Sequence, residues 1–388
     1  MAKLRKSTSI IGYVPLQVMS NSKRVLIAPL NWGLGHATRC IPIIQALVLH
    51  GFEPIIASDG VALKLLRKEF PQLQSFALPS YDIKYAEKGK HFKLKMIWDS
   101  PKVLKTIAKE RKATKRLVKA HQIEAIISDN RLGVRYKKVP SVFITHQLNV
   151  LSGNTTWFSS KAHREVIKKF DVCWVPDVAG KPNLTGKLGH LKKAAFHIEY
   201  LGPLSRFQKE ALPIKYDVMI LLSGPEPQRG MLAKQLLKEL KQFRGNVLFV
   251  KGKIEAEKCI ETLHFKNAKV YVHNYMQSQE LQTAINSSEI ILCRSGYTTI
   301  MDLAKLEKKA FFIPTPGQYE QEYLAQRLHK KGIVPFSTQD KFILNDLNSV
   351  QEYSGLASFK QTIDYKRLFL ILSSVKENSE PTSTSLST

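Results

Sequence analysis

The chain has 388 residues, of which 59 are Lys or Arg and 32 are Asp or Glu, so its formal net charge is +27. The length predicts about two domains of ordinary size, and a hydrophobic content of 44% is sufficient for two cores. Four scattered cysteines without a C-x-x-C pair argue against a disulfide framework and a thiolate metal site, which predicts a reducing, cytoplasmic environment. No apolar run approaches the length of about 20 residues that spans a bilayer.

The basic excess favours partners that carry negative charge, namely nucleic acid, an anionic membrane surface or phosphorylated ligands. A lysine-rich solvated surface is the plain alternative. Residues 1–22 begin with a basic stretch and continue into a short apolar patch broken by Pro15, which is too weak for a secretory signal. We expect a disordered N-terminal extension there.

The first predicted domain, residues 23–205, opens with a strand (24–29), a loop from Asn31 to Arg39 and an apolar helix (40–50). Strand-like runs then alternate with helical stretches at 53–57, 125–128, 141–145 and 171–175, which predicts a doubly wound parallel sheet. Such sheets bind ligands beyond the carboxyl ends of their strands. The candidates there are the Asn31–Arg39 loop, Asp129-Asn130-Arg131 and His146-Gln147.

A basic segment, residues 84–121, interrupts this alternation. Residues 102–121 have helical periodicity, with an apolar stripe and a basic face. The stripe comprises Val103, Leu104, Ile107, Ala108, Thr114, Leu117 and Val118, and the basic face Lys105, Lys109, Lys112, Arg116 and Lys119. One hypothesis is a surface for anionic lipid headgroups, aided by Phe92, Leu94, Met96, Ile97 and Trp98. The alternative is a helix docked on the sheet with a solvated basic face.

The second half repeats the opening of the first. After a strand at 198–201 and a linker at 206–216, a strand (217–222) leads into Ser223-Gly224 and, past Arg229, a helix (231–243). Strands at 246–250, 269–272, 289–293 and 310–313 predict a second parallel sheet in a domain of residues 217–375. The polar tail, residues 376–388, is predicted to be disordered.

The stretch from Arg294 to Asp302 follows a buried strand and turns into a helix. Gly296 precedes a first turn that carries Thr298 and Thr299, so free backbone N–H groups and hydroxyls converge at one point, as in phosphate sites. An ordinary capped helix is the alternative. Two halves that each carry a glycine loop after the first strand suggest a ligand in the cleft between them.

These halves resemble the GT-B glycosyltransferases of the family 28 type, the MurG-like UDP-sugar transferases. The likeness is strongest over residues 272–333. It includes Tyr275-Met276, Cys293-Arg294-Ser295-Gly296, Asp302, Phe312-Ile313-Pro314 and residues 318–332. Gly33-Leu34-Gly35-His36 resembles the family's Gly-Gly-His loop. The resemblance implies two Rossmann-like domains facing each other across a cleft, with the acceptor on the N-terminal and the nucleotide sugar on the C-terminal domain.

The resemblance also implies the binding residues. Ser295, Gly296, Tyr297 and Thr298 would hold the diphosphate, and Asp302 would bind the ribose hydroxyls where the family has a glutamate. Gln321 and Glu322 fall on the family's paired donor-sugar glutamines; Ala325 replaces a family asparagine, so the donor sugar stays open. Ser223-Gly224 replaces a glycine-serine loop, with Arg229 as a phosphate contact. The predicted nucleotide-sugar set is Gly33, Gly35, Ser223, Gly224, Arg229, Met276, Arg294, Ser295, Gly296, Tyr297, Thr298, Asp302, Gln321 and Glu322.

His36 is the predicted general base, because a histidine on a loop facing the cleft can take the proton of an acceptor hydroxyl. Asp129, at the end of a parallel strand in the same domain, is predicted to orient it, and His146 is the competing base. The cleft loops contain no D-x-D and no cluster with ligand spacing. We therefore expect no metal and no cofactor, and expect helix dipoles to meet the charge of the leaving diphosphate.

The sequence thus predicts an inverting, metal-independent transferase of the cell envelope that moves a hexose or GlcNAc from a UDP-sugar to a lipid-linked or membrane-presented acceptor. It predicts no nucleic-acid partner. The protein would be cytoplasmic, and peripheral on the inner face of the membrane if the basic segment binds lipid. A UDP-GlcNAc 2-epimerase-like enzyme of the same fold is an alternative. A non-enzymatic polyanion-binding protein is another, and it leaves both glycine loops without a purpose.

Overall fold

The computed structural model describes residues 22–374 apart from 82–100, 152–155, 254, 256 and 360. Three predicted features therefore lie outside the described residues: most of the N-terminal extension, the tail after residue 375, and the apolar part of the basic segment with Phe92, Leu94, Met96, Ile97 and Trp98. Within the described chain there are two sheets of seven and six strands, each with helices packed against it.

The N-terminal sheet is wholly parallel, with strand order β3-β2-β1-β4-β5-β6-β7. Its strands are β1 (Arg24–Pro29), β2 (Glu53–Ser58), β3 (Ser75–Ala77), β4 (Ala125–Asp129), β5 (Ser141–Ile144), β6 (Val172–Val175) and β7 (Ile198–Tyr200). Its helices are α1 (Gly35–Leu49), α2 (Gly60–Glu69), α3 (Pro101–Ala120) and α4 (Thr156–Ile167). The five inner strands, β1, β2, β4, β5 and β6, are buried on both faces, as in a sheet covered by helices on both sides.

The C-terminal sheet has the order β10-β11-β9-β8-β12-β13. Its strands are β8 (Tyr216–Leu221), β9 (Gly245–Val250), β10 (Ile260–His264), β11 (Ala268–His273), β12 (Ser288–Cys293) and β13 (Lys309–Phe312). Its helices are α5 (Gln228–Glu239), α6 (Ser278–Asn286), α7 (Tyr297–Lys305) and α8 (Tyr319–Lys330), followed by 3-10 segments and the short helices α9 (Tyr365–Leu368) and α10 (Leu370–Ser373). The expectation of a purely parallel sheet is wrong at one edge, because β10 runs antiparallel to β11.

Both sheets reverse their strand order beside a glycine loop. In the N-terminal sheet β1 lies between β2 and β4, and the register pairs Pro29 with Asp129 at their carboxyl ends. In the C-terminal sheet β8 lies between β9 and β12, and Leu221 pairs with Cys293. Such reversal points are where doubly wound sheets open a crevice for a ligand.

Each domain contributes apolar side chains to the hydrophobic core of the other. Leu184 and Leu188 of the N-terminal domain lie in the core of the C-terminal one. Conversely, Leu368, Phe369 and Leu372 of α9 and α10 pack in the N-terminal core. The sequence had assigned all residues up to 375 to the C-terminal domain. That assignment is wrong for the last two helices, whose apolar faces are buried against the first sheet.

Helix α3 agrees in part with the predicted helix that docks on the sheet and exposes a basic face. Val103, Ile107 and Val118 are buried, and the five predicted basic side chains are exposed. Leu104, placed on the apolar stripe, is 60% exposed, while Glu110 is fully buried by pairing with Arg131 at 2.8 Å. A buried ion pair therefore fixes the phase of the helix. No helix in the described part of the chain combines the length and the apolar character needed to cross a bilayer.

Candidate functional site

One cleft runs between the carboxyl ends of the two sheets. Its N-terminal wall includes the Gly33–His36 loop and the start of α1, and its C-terminal wall includes the loop after β8, the start of α7 and the loop before α8. The predicted binding residues that line it are Gly33, Gly35, His36, Ser223, Gly224, Arg229, Met276, Gly296, Tyr297, Thr298, Asp302 and Gln321.

Gly35 and Thr298 bring the two walls together. A Cβ added at Gly35 would lie 2.8 Å from the Thr298 Oγ1, so a larger residue there would displace the Thr298 side chain on the opposite wall. Gly35 begins α1 and Tyr297 begins α7, so the amino ends of two helices face the same point. Their unpaired backbone N–H groups and positive dipole ends form a site for a negatively charged group.

The predicted contact between His36 and Asp129 is present. The Nδ1 of His36 lies 2.8 Å from Oδ1 of Asp129, which sits at the end of β4 with no exposed surface. A terminal nitrogen of Arg39 also lies 2.8 Å from this Nδ1, but the same nitrogen donates to Oδ1 of Asp129. Since a carboxylate only accepts, the Nδ1 that faces it carries the proton, and the Nε2 lone pair lies on the opposite side of the ring. Burial, together with the nearby Arg39, lowers the pKa of His36, so the imidazole is neutral at physiological pH.

Sequence reasoning missed Arg39, which organises this wall. Its Nε donates to Oδ2 of Asp129 at 2.5 Å, a second nitrogen donates to Oδ1, and a third lies 3.0 Å from Nδ1 of His146. Although burial alone would raise the pKa of Asp129, the charge of Arg39 and then of His36 holds it well below its usual range. The sequence could have indicated its role, because Arg39 lies three residues after His36 and therefore on the same face of α1.

Asp302 lies on the C-terminal wall, where the ribose was predicted. Its carboxylate accepts a hydrogen bond of 2.5 Å from Ser205. Burial raises its pKa to about 6, against the opposing effects of Arg206 and Ser205. Arg206, in the linker and also missed from the sequence, lines the cleft beside Asp302, and its buried Nε has no hydrogen-bond partner among the described residues.

Arg294 and Ser295 require a correction, because neither lines the cleft. The Arg294 guanidinium is buried and donates to the carbonyls of Ile313, Pro314 and Gln228 and to the side chain of Gln339, at 2.7–3.1 Å. The Ser295 hydroxyl donates to the Gln321 carbonyl at 2.8 Å. Both side chains therefore hold neighbouring loops in place, and the part of this motif that lines the cleft begins at Gly296.

Of the predicted pair Gln321 and Glu322, only the first lines the cleft. Gln321 lines the cleft and accepts a hydrogen bond from the Thr315 N–H at 2.9 Å. Glu322 lies outside the cleft lining and accepts from the Gly317 N–H at 2.8 Å. The acid that faces the cleft is instead Glu320, whose Oε1 lies 3.3 Å from His146 Nε2 of the other domain. Glu320 precedes the predicted Glu322 by two positions, a shift that turns a side chain to another face of α8.

The loop after β8 contributes Arg229 to the cleft lining, and this arginine is paired with an acid of the same loop. Arg229 contacts Glu226 at 2.9 Å and donates to the Gly252 carbonyl at 2.5 Å, so part of its charge is neutralised within its own loop. Gly224 has a φ of +97°, which favours glycine. Near it, Thr315 Oγ1 is buried without a hydrogen-bond partner in the described chain. Among the described residues no group of three His, Cys, Asp or Glu side chains is arranged to hold a metal ion.

Comparison with known proteins agrees with this architecture. Residues 229–350 match the family model "Glycosyltransferase family 28 C-terminal domain". The chain is 23% identical over 367 residues to an uncharacterized glycosyltransferase of Methanosarcina mazei, covering 85% of this chain and 90% of that protein. It is 24% identical over 226 residues to the UDP-N-acetylglucosamine–N-acetylmuramyl-(pentapeptide) pyrophosphoryl-undecaprenol N-acetylglucosamine transferase of Haemophilus ducreyi, covering 56% of this chain and 59% of that enzyme.

Solved structures show the same fold at low sequence identity. Acinetobacter baumannii MurG superimposes with a TM-score of 0.53 and 15% identity, covering 86% of this chain and 92% of the other. Arabidopsis thaliana UGT89C1, complexed with UDP-L-rhamnose, gives a TM-score of 0.58 and 13% identity, covering 91% and 98%. The predicted GT-B fold and the family 28 resemblance are confirmed.

Proposed function

We propose a reaction for this chain, a GT-B glycosyltransferase with a family 28 C-terminal domain that transfers a sugar from a nucleotide sugar. The donor is a UDP-sugar, the acceptor is a hydroxyl of a lipid-linked molecule, and transfer inverts the anomeric configuration without a metal ion. The observation that carries the proposal is the hydrogen-bonded pair of His36 and Asp129, which faces the amino end of α7 across the cleft.

The nucleotide binds on the C-terminal wall. Its diphosphate sits at the amino end of α7, where Tyr297 and Thr298 present backbone N–H groups, and the ribose hydroxyls donate to Asp302. Glu320 and Gln321 face the sugar. This arrangement places the anomeric carbon between the leaving diphosphate and the N-terminal wall, which carries His36.

The chemical step is a single displacement. The Nε2 of His36 takes the proton of the acceptor hydroxyl as that oxygen forms a bond to the anomeric carbon, and the bond from this carbon to the diphosphate oxygen breaks. Asp129 stabilises the imidazolium that results, and UDP leaves with the bonding electron pair. Attack on the face opposite the leaving group inverts the configuration. The dipole of α7 stabilises the charge of the leaving group, and this replaces the role of a metal ion.

The same geometry supports His36 over His146 as the base. Its Nδ1 lies 3.0 Å from an Arg39 nitrogen, which can only donate, and its Nε2 lies 3.3 Å from Glu320, which accepts. Both ring nitrogens are therefore engaged, and no lone pair remains for a substrate proton. His36 has its lone pair directed away from its partner, so the choice between the two histidines favours His36.

Activity tests the donor and the metal together. UDP release with a panel of UDP-sugars and a crude lipid extract should be acceptor-dependent and unchanged by EDTA. An enzyme of the 2-epimerase class would convert the UDP-sugar without the extract. Loss of activity with EDTA, restored by a divalent cation, would overturn the metal-independent mechanism. A UDP-sugar at a hundred times its Kd should stabilise the fold by about 2.7 kcal/mol, which thermal shift detects without any acceptor.

The lipid-linked acceptor is supported by the relative from Haemophilus ducreyi, whose name specifies a pyrophosphoryl-undecaprenol substrate, and by the exposed basic face of α3. Each basic residue near an anionic membrane contributes about 1 kcal/mol, and salt screens the attraction within a Debye length. The protein should bind vesicles that contain anionic lipid at low salt and leave them at high salt, and it should bind neutral vesicles poorly.

A matched pair of variants tests which surface binds. Replacing Lys105, Lys109, Lys112 and Arg116 of α3 with glutamine should abolish vesicle binding and leave UDP affinity unchanged. The control replaces three lysines and one arginine exposed on the C-terminal domain, Lys234, Lys238, Lys241 and Arg244, and should bind vesicles like the parent. Equal loss in both variants would show a diffuse charge effect, and loss in neither would favour a soluble acceptor.

A further inference from the structure

Arg39 is buried in the cleft wall, one helical turn after His36. Only 3% of its surface is exposed, and it lies on α1, which starts at the glycine loop. A buried arginine is costly unless each of its donors finds an acceptor. Its acceptors here are not structural carbonyls, as they are for Arg294, but ionisable groups of the site.

The guanidinium grips Asp129 with two donors. Nε reaches Oδ2 at 2.5 Å, and a terminal nitrogen reaches Oδ1, the same oxygen that the Nδ1 of His36 approaches at 2.8 Å. A planar fork on a carboxylate fixes both the position and the rotation of the carboxylate. The direction in which Asp129 holds the His36 ring is therefore set by Arg39.

The remaining terminal nitrogen of Arg39 lies 3.0 Å from Nδ1 of His146. Because an arginine never accepts, that nitrogen of His146 must be unprotonated, and its proton lies on Nε2, which faces Glu320 at 3.3 Å. The ring also stacks on Tyr297 with centroids 3.9 Å apart. At His36 the Nδ1 lies 2.8 Å from an Arg39 nitrogen and 2.8 Å from the Asp129 carboxylate, and the carboxylate requires a proton there. At His146 the Arg39 nitrogen has no competing acceptor beside it among the described residues, so the expected tautomers are opposite: His36 is protonated on Nδ1 and His146 on Nε2.

We propose that Arg39 is a positioning residue that assigns the base role to His36, by fixing Asp129 against His36 and by occupying the one lone pair of His146. The proposal rests on the proposed function for the meaning of "base", but the tautomers it requires can be observed without any catalysis. Arg39 acts through Asp129 and His146, and its own contact with His36 is at Nδ1, 2.8 Å away, on the side of the ring opposite the reacting Nε2.

Arg39 also sets the range of pH in which His36 is neutral. The groups that face His36 are Arg39 and Cys40 of α1, Asp129 at the end of β4 and His146 after β5, and Glu320 and Tyr297 lie behind His146 on the opposite wall. Burial and then the charge of Arg39 lower the pKa of His36, while Asp129 raises it. Removal of Arg39 leaves the raising effect of Asp129 less opposed, so the pKa of His36 should rise.

The first test uses the parent protein. Nitrogen-15 spectra of histidine-labelled protein, with His36 and His146 assigned from single glutamine variants, should show His36 protonated on Nδ1 and His146 on Nε2 at neutral pH. In Arg39→Gln the His146 signal should change to a mixture of tautomers. The reverse tautomers in the parent would overturn the proposal even if the enzyme is active, and the expected ones would support it even if the substrate assignment fails.

The second test is kinetic. Arg39→Gln should lower kcat by roughly tenfold or more, since small displacements of a catalytic group are costly, while the Kd for UDP stays within about twofold. The acid limb of kcat/KM should move to higher pH, and Arg39→Lys should restore this limb in part because it restores the charge but not the fork. Arg24→Gln, which removes a positive charge from a surface pair with Glu53 in the same domain, is the control and should leave both unchanged. A parent-like pH profile in folded Arg39→Gln would refute the proposal.

Discussion

The two walls of the cleft use buried polar side chains in opposite ways. On the N-terminal wall Arg39 bonds to Asp129 and His146, and both Arg39 and Asp129 contact His36, the proposed base. Behind the C-terminal wall, outside the cleft lining, the side chains of Arg294 and Ser295 bond to backbone groups of neighbouring loops. The residue types are similar, but the first set controls protonation and the second set controls where main-chain N–H groups lie.

This difference predicts which measurement each substitution changes. A change on the N-terminal wall alters the protonation state of a group that reacts, so it should lower kcat with little effect on nucleotide affinity. A change on the C-terminal wall alters a loop or a binding contact, so it should lower stability or raise the Kd. The following variants test this division.

The largest expected effect is on the N-terminal wall. His36→Gln should lower kcat by about 10² to 10⁴, the range for loss of a general base, and leave the Kd for UDP nearly unchanged. Initial rates of UDP release and calorimetric titration with UDP measure the two quantities. Normal turnover in this variant would remove the base from His36, and a parallel loss of UDP affinity would remove the division between the walls.

Arg294→Met tests the opposite wall. It leaves three carbonyls and one amide oxygen without their donor, so we expect the free energy of unfolding to fall by about 3 kcal/mol. Urea unfolding measures this loss. The pH dependence of kcat/KM in the folded variant should match the parent, because no described contact joins Arg294 to the base. A shifted profile with unchanged stability would place the guanidinium in the chemistry.

For Asp302 we expect the pH to change the affinity for the nucleotide and to leave the rate of the chemical step unchanged. With a pKa of about 6, its carboxylate is ionised above that pH and can accept from the two ribose hydroxyls of the proposed nucleotide, and it becomes a weaker acceptor as the pH falls and the group is protonated. Loss of a charged acceptor costs about 1.5–3 kcal/mol, and about a tenth of the carboxylate stays ionised at pH 5, so affinity should fall by about five- to tenfold from pH 8 to pH 5. UDP-GlcNAc is the suitable probe because its diphosphate does not titrate in this range.

Asp302→Asn is the control for that titration. Its affinity for UDP-GlcNAc should be low and nearly constant over the same range of pH. If the variant keeps the parent's pH dependence, the titrating group lies elsewhere, and Arg206 or its surroundings become the place to look.

The smallest effect separates two neighbouring acids. Glu320→Gln should raise the donor KM about fivefold, a change of about 1 kcal/mol, because its charge faces the sugar and His146. Glu322→Gln should leave the donor KM within about twofold, since its carboxylate only accepts from the Gly317 N–H. The reverse order would restore the assignment made from the sequence and would show that α8 rotates when the donor binds.

The sequence predicted the repeated strand, glycine loop and helix because each part has its own local signal. β10 was missed because four of its five residues are exposed and its pattern lacks apolar alternation. Arg294 and Ser295 were placed in the site because a motif states which residues are adjacent in the chain but not which way a side chain points. The motif continues into Gly296 and Thr298, which do line the cleft.

Partnerships between distant segments were the least predictable part. The contact of His36 with Asp129 followed from parallel strands ending at one edge, so topology alone supplied it. The bond from Arg39 to His146 and the contact of His146 with Glu320 join segments more than 100 residues apart through side-chain conformation. Neither hydrophobic periodicity nor a sequence motif indicates such a contact. Which acid of α8 faces the cleft, Glu320 or Glu322, depends on how the preceding loop orients the helix.

Finally, the return of α9 and α10 to the first domain means that the chain crosses between the domains twice. Both crossings run side by side, since a Cβ at Gly202 would lie 3.0 Å from the side chain of Gln361. A single tether would let one domain swivel freely, whereas two adjacent tethers resist twisting and leave mainly a hinge motion that widens or narrows the cleft. It also means that cutting the chain in the linker cannot yield an intact first half, because Leu368, Phe369 and Leu372 would be missing from its core.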